Sequence, residues 1–267
     1  MKGYVYYSKE GSIRNKLFIE DLMRQAEKRS IDLRLLLDDD QPDIDVDFIL
    51  FRDRNPELAK SFEMTGIRLL NRAEVNRIAN NKLRTFELAT LLGVPAVPTK
   101  KIRCIEEITS YPVVIKTVDG HAGSEVYLCP GAEKAMKVLN NFEGREIIAQ
   151  PYVESGAQDV RVFVLGQEVV GAVKRTGKGT FKSNYSLGGS IEQYILARWQ
   201  IEDAQTIARG LKSDYIGVDF LLLQDGSWLL NEIEDPVGAR SLYLTHDFSI
   251  AEKLMVYVQE TLELSFV

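Results

Sequence analysis

Apolar and polar positions alternate in two different ways along this chain, and the change falls near residue 77. Before that point, short apolar runs at 4–7, 33–37, 48–51 and 68–71 are separated by helix-length segments at 16–29 and 56–65. That spacing predicts the βαβ order of an open parallel sheet. A further helix is predicted over 84–92, stopped by Gly93 with Pro95 and Pro98 just beyond it. A helix-sized stretch after Arg103 leads to strands at 113–116 and 126–128, a helix at 132–140 and a strand at 147–150. Long strands at 160–165 and 168–174 turn at Gly166-Gln167. Helices at 201–211 and 249–262 flank a final hairpin. The chain reads as α/β (α+β), with a mostly antiparallel second half.

That hairpin, 218–236, is the most informative segment: Val-Asp-Phe-Leu-Leu-Leu-Gln-Asp-Gly-Ser-Trp-Leu-Leu-Asn-Glu-Ile-Glu-Asp-Pro. It reads as two apolar strands joined by a tight Gln-Asp-Gly turn. Glu232 and Glu234 lie two apart and project from one strand face. Asp219 stands at a similar distance from the turn on the other strand. Three carboxylates on one face repel unless a cation sits between them. Hard oxygen donors in that number suit Mg2+, which takes its remaining ligands from phosphate and water. The alternative is a solvated hairpin face.

At 267 residues, 45% apolar and 27% charged, the chain has the composition of a soluble globular protein. A net charge of −6 argues against a nucleic-acid backbone as main partner. The first residues read as a strand rather than a signal peptide, and no stretch approaches the ~20 apolar residues needed to cross a bilayer. Cys104 and Cys129 make neither a disulfide framework nor a metal-ligand spacing. A reducing cytoplasm is the expected compartment.

Lys116 ends a Val-Val-Ile-Lys strand beside a loop containing Gly120 and Gly123. There an ammonium can meet a phosphate while loop amides close over it. The chain has no Gly-x-x-x-x-Gly-Lys-Ser/Thr loop and Gly3 is isolated, so Walker-type and dinucleotide sites are excluded. Asp159 and Arg161 share a strand face, and Lys174 and Arg175 close the next strand. The segment 176–184, Thr-Gly-Lys-Gly-Thr-Phe-Lys-Ser-Asn, with Gly188-Gly189 behind it, fits either a lid over polyphosphate or a mobile surface loop. Cations beside a three-carboxylate metal site are an economical way to hold a nucleoside triphosphate.

In this order the residues make the chain resemble the ATP-grasp superfamily, and within it the RimK-like carboxylate–amine (α-L-glutamate) ligases. The resemblance runs from about Val46 to about Val258. It is carried by Phe48-Ile-Leu-Phe-Arg52, Gly66-Ile-Arg-Leu-Leu-Asn71, Asn81-Lys82-Leu83-Arg84, Gly93-Val-Pro-Ala-Val-Pro-Thr99 and Val114-Ile-Lys116. Gln150-Pro-Tyr-Val153, Asp159-Val-Arg161, Arg175, Phe181-Lys-Ser-Asn184, Gly217-Val-Asp219 and Glu232-Ile-Glu234 continue it. It implies a pre-ATP-grasp α/β domain over 1–77 and an ATP-grasp domain over 78–267. The latter would divide into a small subdomain at about 100–150 and a larger one at about 151–267.

The resemblance further implies that Lys82 and Lys116 bind the ATP phosphates. Gln150, Pro151, Tyr152 and Val153 would line the adenine pocket, and Asp159 would hold the ribose. Lys182, Ser183 and Asn184 would contact ATP from the other side, while Asp219, Glu232 and Glu234 would bind Mg2+ or Mn2+. Arg175, Arg161 and Lys116 would act at the reacting phosphate. The implied reaction joins a carboxylate to an amine through an acyl phosphate, releasing ADP and phosphate. An amino acid such as glutamate would be added to a small molecule or peptide. The alternative is an ATP-binding regulatory module that kept the fold and lost ligation. Neither nucleic acid nor membrane is an expected partner, and a homo-oligomer is the default expectation.

The chain departs from the family pattern at several positions. Glu234 stands where asparagine is usual, Glu125 where the small loop usually has a glycine, and Asn81 where aspartate usually precedes the lysine. Asp235-Pro236-Val237-Gly238-Ala239-Arg240 replaces a serine-proline-glycine run. Arg52 and Arg240 are the candidate substrate residues, because guanidinium and carboxylate pair in bidentate fashion. An ordinary surface arginine is the other reading of Arg240.

Overall fold

Strands β1 (Lys2–Tyr7), β2 (Asp32–Leu37), β3 (Phe48–Phe51) and β4 (Arg68–Leu70) pair in parallel in the order β2-β1-β3-β4. Helices α1 (Lys9–Arg14) and α2 (Lys16–Glu27) lie between β1 and β2, and α3 (Pro56–Met64) lies between β3 and β4. α3 starts where the sequence provides a cap: Asn55 accepts from the Leu58 amide at 3.0 Å and Pro56 opens the helix. The structure, a computed structural model, describes residues 1–40, 42–43, 45–121, 123, 125–178 and 189–263. Lys182, Ser183 and Asn184 therefore lie outside the described residues.

Helices α4 (Ala73–Ala79) and α5 (Lys82–Leu92) follow, α5 ending at Gly93 with the positive φ of 71° that glycine adopts freely. The small antiparallel sheet comprises β5 (Lys100–Ile102), β6 (Val113–Thr117), β7 (Val126–Cys129) and β8 (Ile147–Pro151), in the order β5-β8-β6-β7, with α6 (Ala132–Asn141) on one side. The helix expected after Arg103 is a single 3₁₀ turn, Ile105–Glu107. Ile105 and Ile108 both turn into the core of the small sheet, and β6 starts before a helix could extend.

The large sheet is antiparallel throughout: β9 (Gln158–Leu165), β10 (Glu168–Thr176), β11 (Ser190–Gln193), β12 (Tyr215–Leu222) and β13 (Trp228–Glu234), in the order β11-β10-β9-β12-β13. α7 (Arg198–Leu211), α8 (Arg240–Thr245) and α9 (Ile250–Glu263) complete the chain. α7 begins three residues before its expected start. No helix among the described residues is long and apolar enough to cross a membrane.

Period-two alternation decides what each face of this sheet does. Val160, Val162, Val164, Ile216, Val218 and Phe220 face α5 and α7 and build one core with Ala89, Ala204 and Ile207. On the opposite face, Phe163, Leu165, Val173 and Tyr215 pack with α9 and with residues of the N-terminal sheet such as Val5 and Leu50. A single core thus ties the N-terminal sheet to the far half of the large sheet. The near half of that face carries charge instead.

Candidate active site

The charged half-face is built by register. Arg175 pairs with Asp159 across β10–β9, Arg161 with Asp219 across β9–β12, and Asp219 with Glu232 across β12–β13; Glu234 lies opposite Gly217. Gly217 is needed here: a Cβ would come within 2.6 Å of Val237 and 3.4 Å of the Arg161 stem. The carboxylates expected to share one face do so. The cations between them are guanidinium groups of this chain.

Arg161 grips Asp219 through Nε and Nη2, both at 2.7 Å, and Nη2 also reaches Glu234 at 2.8 Å. Arg175 grips Asp159 at 2.6 and 2.7 Å and donates to Asp219 at 2.7 Å. Burial pushes the Asp219 carboxyl up, but Arg161 and Arg175 outweigh it and hold it at about 2. Burial works against both arginines, and Arg161 also against Arg175, but the surrounding carboxylates lift both above the ordinary guanidinium range. They stay charged and act as fixed electrostatic donors. The Nη1 group of each has no hydrogen-bond partner among the described residues. Asp159, expected at a ribose, has its carboxylate taken up by Arg175.

The donor set fits a hard divalent cation chemically: three carboxylates on one face, all lining the same cavity. In this conformation they are not gathered around one point. Among the described residues, no group of three or more His, Cys, Asp or Glu stands close enough to hold an ion. Glu232 makes no hydrogen bond or ion pair among the described residues.

Above this floor, Lys116 stands next to the end of β6, 5% exposed, donating to Asn231 Oδ1 at 3.0 Å. Burial lowers its ammonium to about 8, Glu232 opposing and Lys82 reinforcing the shift. Lys82 is also buried, but its ammonium donates to the Gly120 carbonyl and it does not line the cavity. Glu125, the departure in that loop, accepts from Thr117 Oγ1 at 2.6 Å and pairs with Arg145 at 3.3 Å, pinning the loop back to the small sheet. The cavity holds about 1200 Å³. One end is an apolar slot between the two sheets, walled by Val97, Val114, Val126 and Leu221 and bordered by Gln150, Pro151, Tyr152 and Val153. Gln150 is turned toward Thr99, 2.7 Å away.

The other end reaches the N-terminal sheet. Arg52, 8% exposed, donates to the Tyr7 hydroxyl at 3.2 Å and the Val237 carbonyl at 2.6 Å and lies over the Phe18 and Tyr215 rings. No carboxylate is bonded to it. Arg240 is exposed and forms no ion pair among the described residues. Sequence reasoning left out Asn231, the partner of Lys116, and placed Arg54 in a loop near the substrate without its contact to Glu234 Oε2 at 3.0 Å. Asn231 sits beside Glu232 and could have been suspected; a loop arginine such as Arg54 carries no periodic signal.

A charged floor beneath an apolar slot between a small and a large antiparallel sheet defines an ATP-grasp fold. The structure matches D-cycloserine synthetase DcsG with a TM-score of 0.76 at 18% identity, covering 98% of this chain and 100% of that one. A family model for the RimK-like ATP-grasp domain matches residues 79–258, and the chain belongs to that family; it is an ATP-grasp ligase. An uncharacterised protein of Mycoplasma pneumoniae is 30% identical over 90% of this chain and 86% of its own length. The ribosomal protein bS6–L-glutamate ligase of Escherichia fergusonii is 30% identical over 75% of this chain and 70% of its own.

Proposed function

We propose that this chain condenses a carboxylic acid with an amine at the expense of ATP, through an acyl phosphate, adding an amino acid such as glutamate to a small molecule or peptide. The carrying observation is one continuous cavity with an apolar slot at one end, a buried arginine bonded to no carboxylate at the other, and Lys116 above a charged floor between them. The slot fits an adenine held by backbone groups of 150–153. Lys116 would meet the phosphates, and its charge would be restored by them. Arg161 and Arg175, locked by their carboxylates, offer their Nη1 groups to charge that develops at the reacting phosphate without reorganising. Arg52 and Arg240 would orient the acid.

ATP-grasp ligases use divalent metals together with ATP. Asp219, Glu232 and Glu234 would hold the ion, which when bound neutralises phosphate charge. The names of relatives support ligation: the glutamate ligase acts on a ribosomal protein, which makes a peptide acceptor one of the two candidates here. The intact set of cations and carboxylates speaks against a regulatory module that lost ligation. The test is an ADP-release screen of amino acids and short peptides with Mg2+, with the coupled product weighed by mass spectrometry. Nucleotide binding without ADP release on any amine–acid pair would overturn ligation.

A further inference from the structure

Glu234 has both carboxylate oxygens engaged: Oε1 accepts from Arg161 at 2.8 Å and Oε2 from Arg54 at 3.0 Å. The two arginines are held very differently. Arg161 stands on β9, its side chain 13% exposed, and is forked onto Asp219. Arg54 sits in the loop between β3 and α3 and is 36% exposed. The bond to Glu234 is its one side-chain hydrogen bond among the described residues. An ion that claims Glu234 would therefore displace Arg54 first.

We propose that Arg54 is a releasable cap on Glu234, a positioning residue that occupies this carboxylate until a divalent cation takes it. The inference rests on the metal assignment made above and explains the acidic departure from asparagine. A neutral amide offers a guanidinium one carbonyl oxygen and no charge, whereas a carboxylate draws an arginine across from the N-terminal sheet. The cap also links the two ends of the cavity. Once displaced, Arg54 is a cation without a carboxylate in the cavity that Arg52 and Arg240 line. Metal binding at the floor then favours an anion at the N-terminal end, and by linkage the anion favours the metal equally.

The test is calorimetric titration of Mn2+ into the full chain saturated with ADP. Wild type, Arg54→Gln, Glu234→Asn and the double variant complete a cycle. Arg54→Gln should tighten Mn2+ binding about five-fold in the wild-type background, the size of a part-exposed ion pair. In the Glu234→Asn background it should change binding less than two-fold. Equal tightening in both backgrounds would reduce Arg54 to a general positive charge and overturn the cap, as would no change in either. Arg54→Lys, which keeps the charge but not the planar fork, should fall between wild type and Arg54→Gln, and guards against a folding defect. Wild type that binds ADP with no dependence on Mn2+ or Mg2+ would remove the metal assignment, and the cap with it. Metal-dependent binding with a flat cycle would remove the cap alone.

Discussion

Replacing Lys116 with methionine separates stability from nucleotide binding. Burial drives the Lys116 ammonium from its ordinary 10.5 to about 8, which corresponds to about 3 kcal/mol of disfavoured charge. Below pH 8 the group is charged in both folded and unfolded chains, so the folded state carries the whole penalty. Between pH 8 and 10.5 the folded chain sheds a proton that the unfolded chain keeps, and stability rises with pH. Lys116→Met removes the penalty but leaves the Asn231 carbonyl without its donor, which costs ~1–3 kcal/mol. A net gain of about 0–2 kcal/mol at pH 7 should leave Tm unchanged or raise it by up to about 4–8 °C. The same variant should lose about 100-fold in ATP affinity, because phosphates that would have offset the burial of the charge find no cation. Wild-type binding at pH 8.5 should take up about three-quarters of a proton. Calorimetry in two buffers of different ionisation enthalpy, with thermal denaturation alongside, measures all three. A variant that melts lower and binds ATP as well as wild type would refute the reasoning.

Asp219→Asn strips the shared carboxylate from Arg161 and Arg175 and should destabilise by about 3–5 kcal/mol in denaturant titrations. Because those arginines hold the Asp219 carboxyl at about 2 against an ordinary 3.8, the wild-type advantage should be constant above pH 4 and shrink only as pH falls from 3.8 toward 2. Glu232→Gln, at a side chain without an ion pair, should change stability by less than about 0.5 kcal/mol while abolishing ADP release. Arg52→Met should raise the KM for the acid at least about ten-fold while leaving the affinity for Mg·ADP unchanged, the signature of a lost carboxylate pair.

Much of this was legible because period two is legible. Asp159 and Arg161, or Glu232 and Glu234, sit two apart and must share a face, and the Gln-Asp-Gly turn put Asp219 opposite Glu232. What the hairpin could not reveal was its neighbour. β9 joins β12 from more than fifty residues away and sets Arg161 against Asp219. The hairpin showed the carboxylates but not the two guanidinium groups that stand among them on the sheet. The contact of Lys82 was hidden for a related reason: its helix was readable, but the carbonyl of Gly120 that takes its ammonium belongs to a loop. The βαβ pattern announced a parallel sheet without announcing the order β2-β1-β3-β4, because apolar runs do not encode neighbours. The 3₁₀ turn after Arg103 shows the opposite failure, where a length sufficient for a helix was spent on two isoleucines reaching one core.

Sorting the cavity's cations by partner says more than sorting them by position. Arg161, Arg175 and Arg54 are matched to carboxylates. Lys116 and Arg52 are buried against an amide, a phenol and a carbonyl, and neither is bonded to a carboxylate. Burial disfavours the Lys116 charge in the empty protein, and an anionic ligand offsets that deficit, whereas the Arg52 charge is supported by Tyr7, Tyr215 and Asp235 and is open to a further anion. Here the two unmatched cations stand in different parts of one cavity, Lys116 on the small sheet and Arg52 on the N-terminal sheet, with the charged floor beside them. A nucleotide alone would meet the first and leave the second without a ligand anion. Two anions brought together over that floor would meet both cations, which is the arrangement the proposed ligation requires and ATP binding by itself does not.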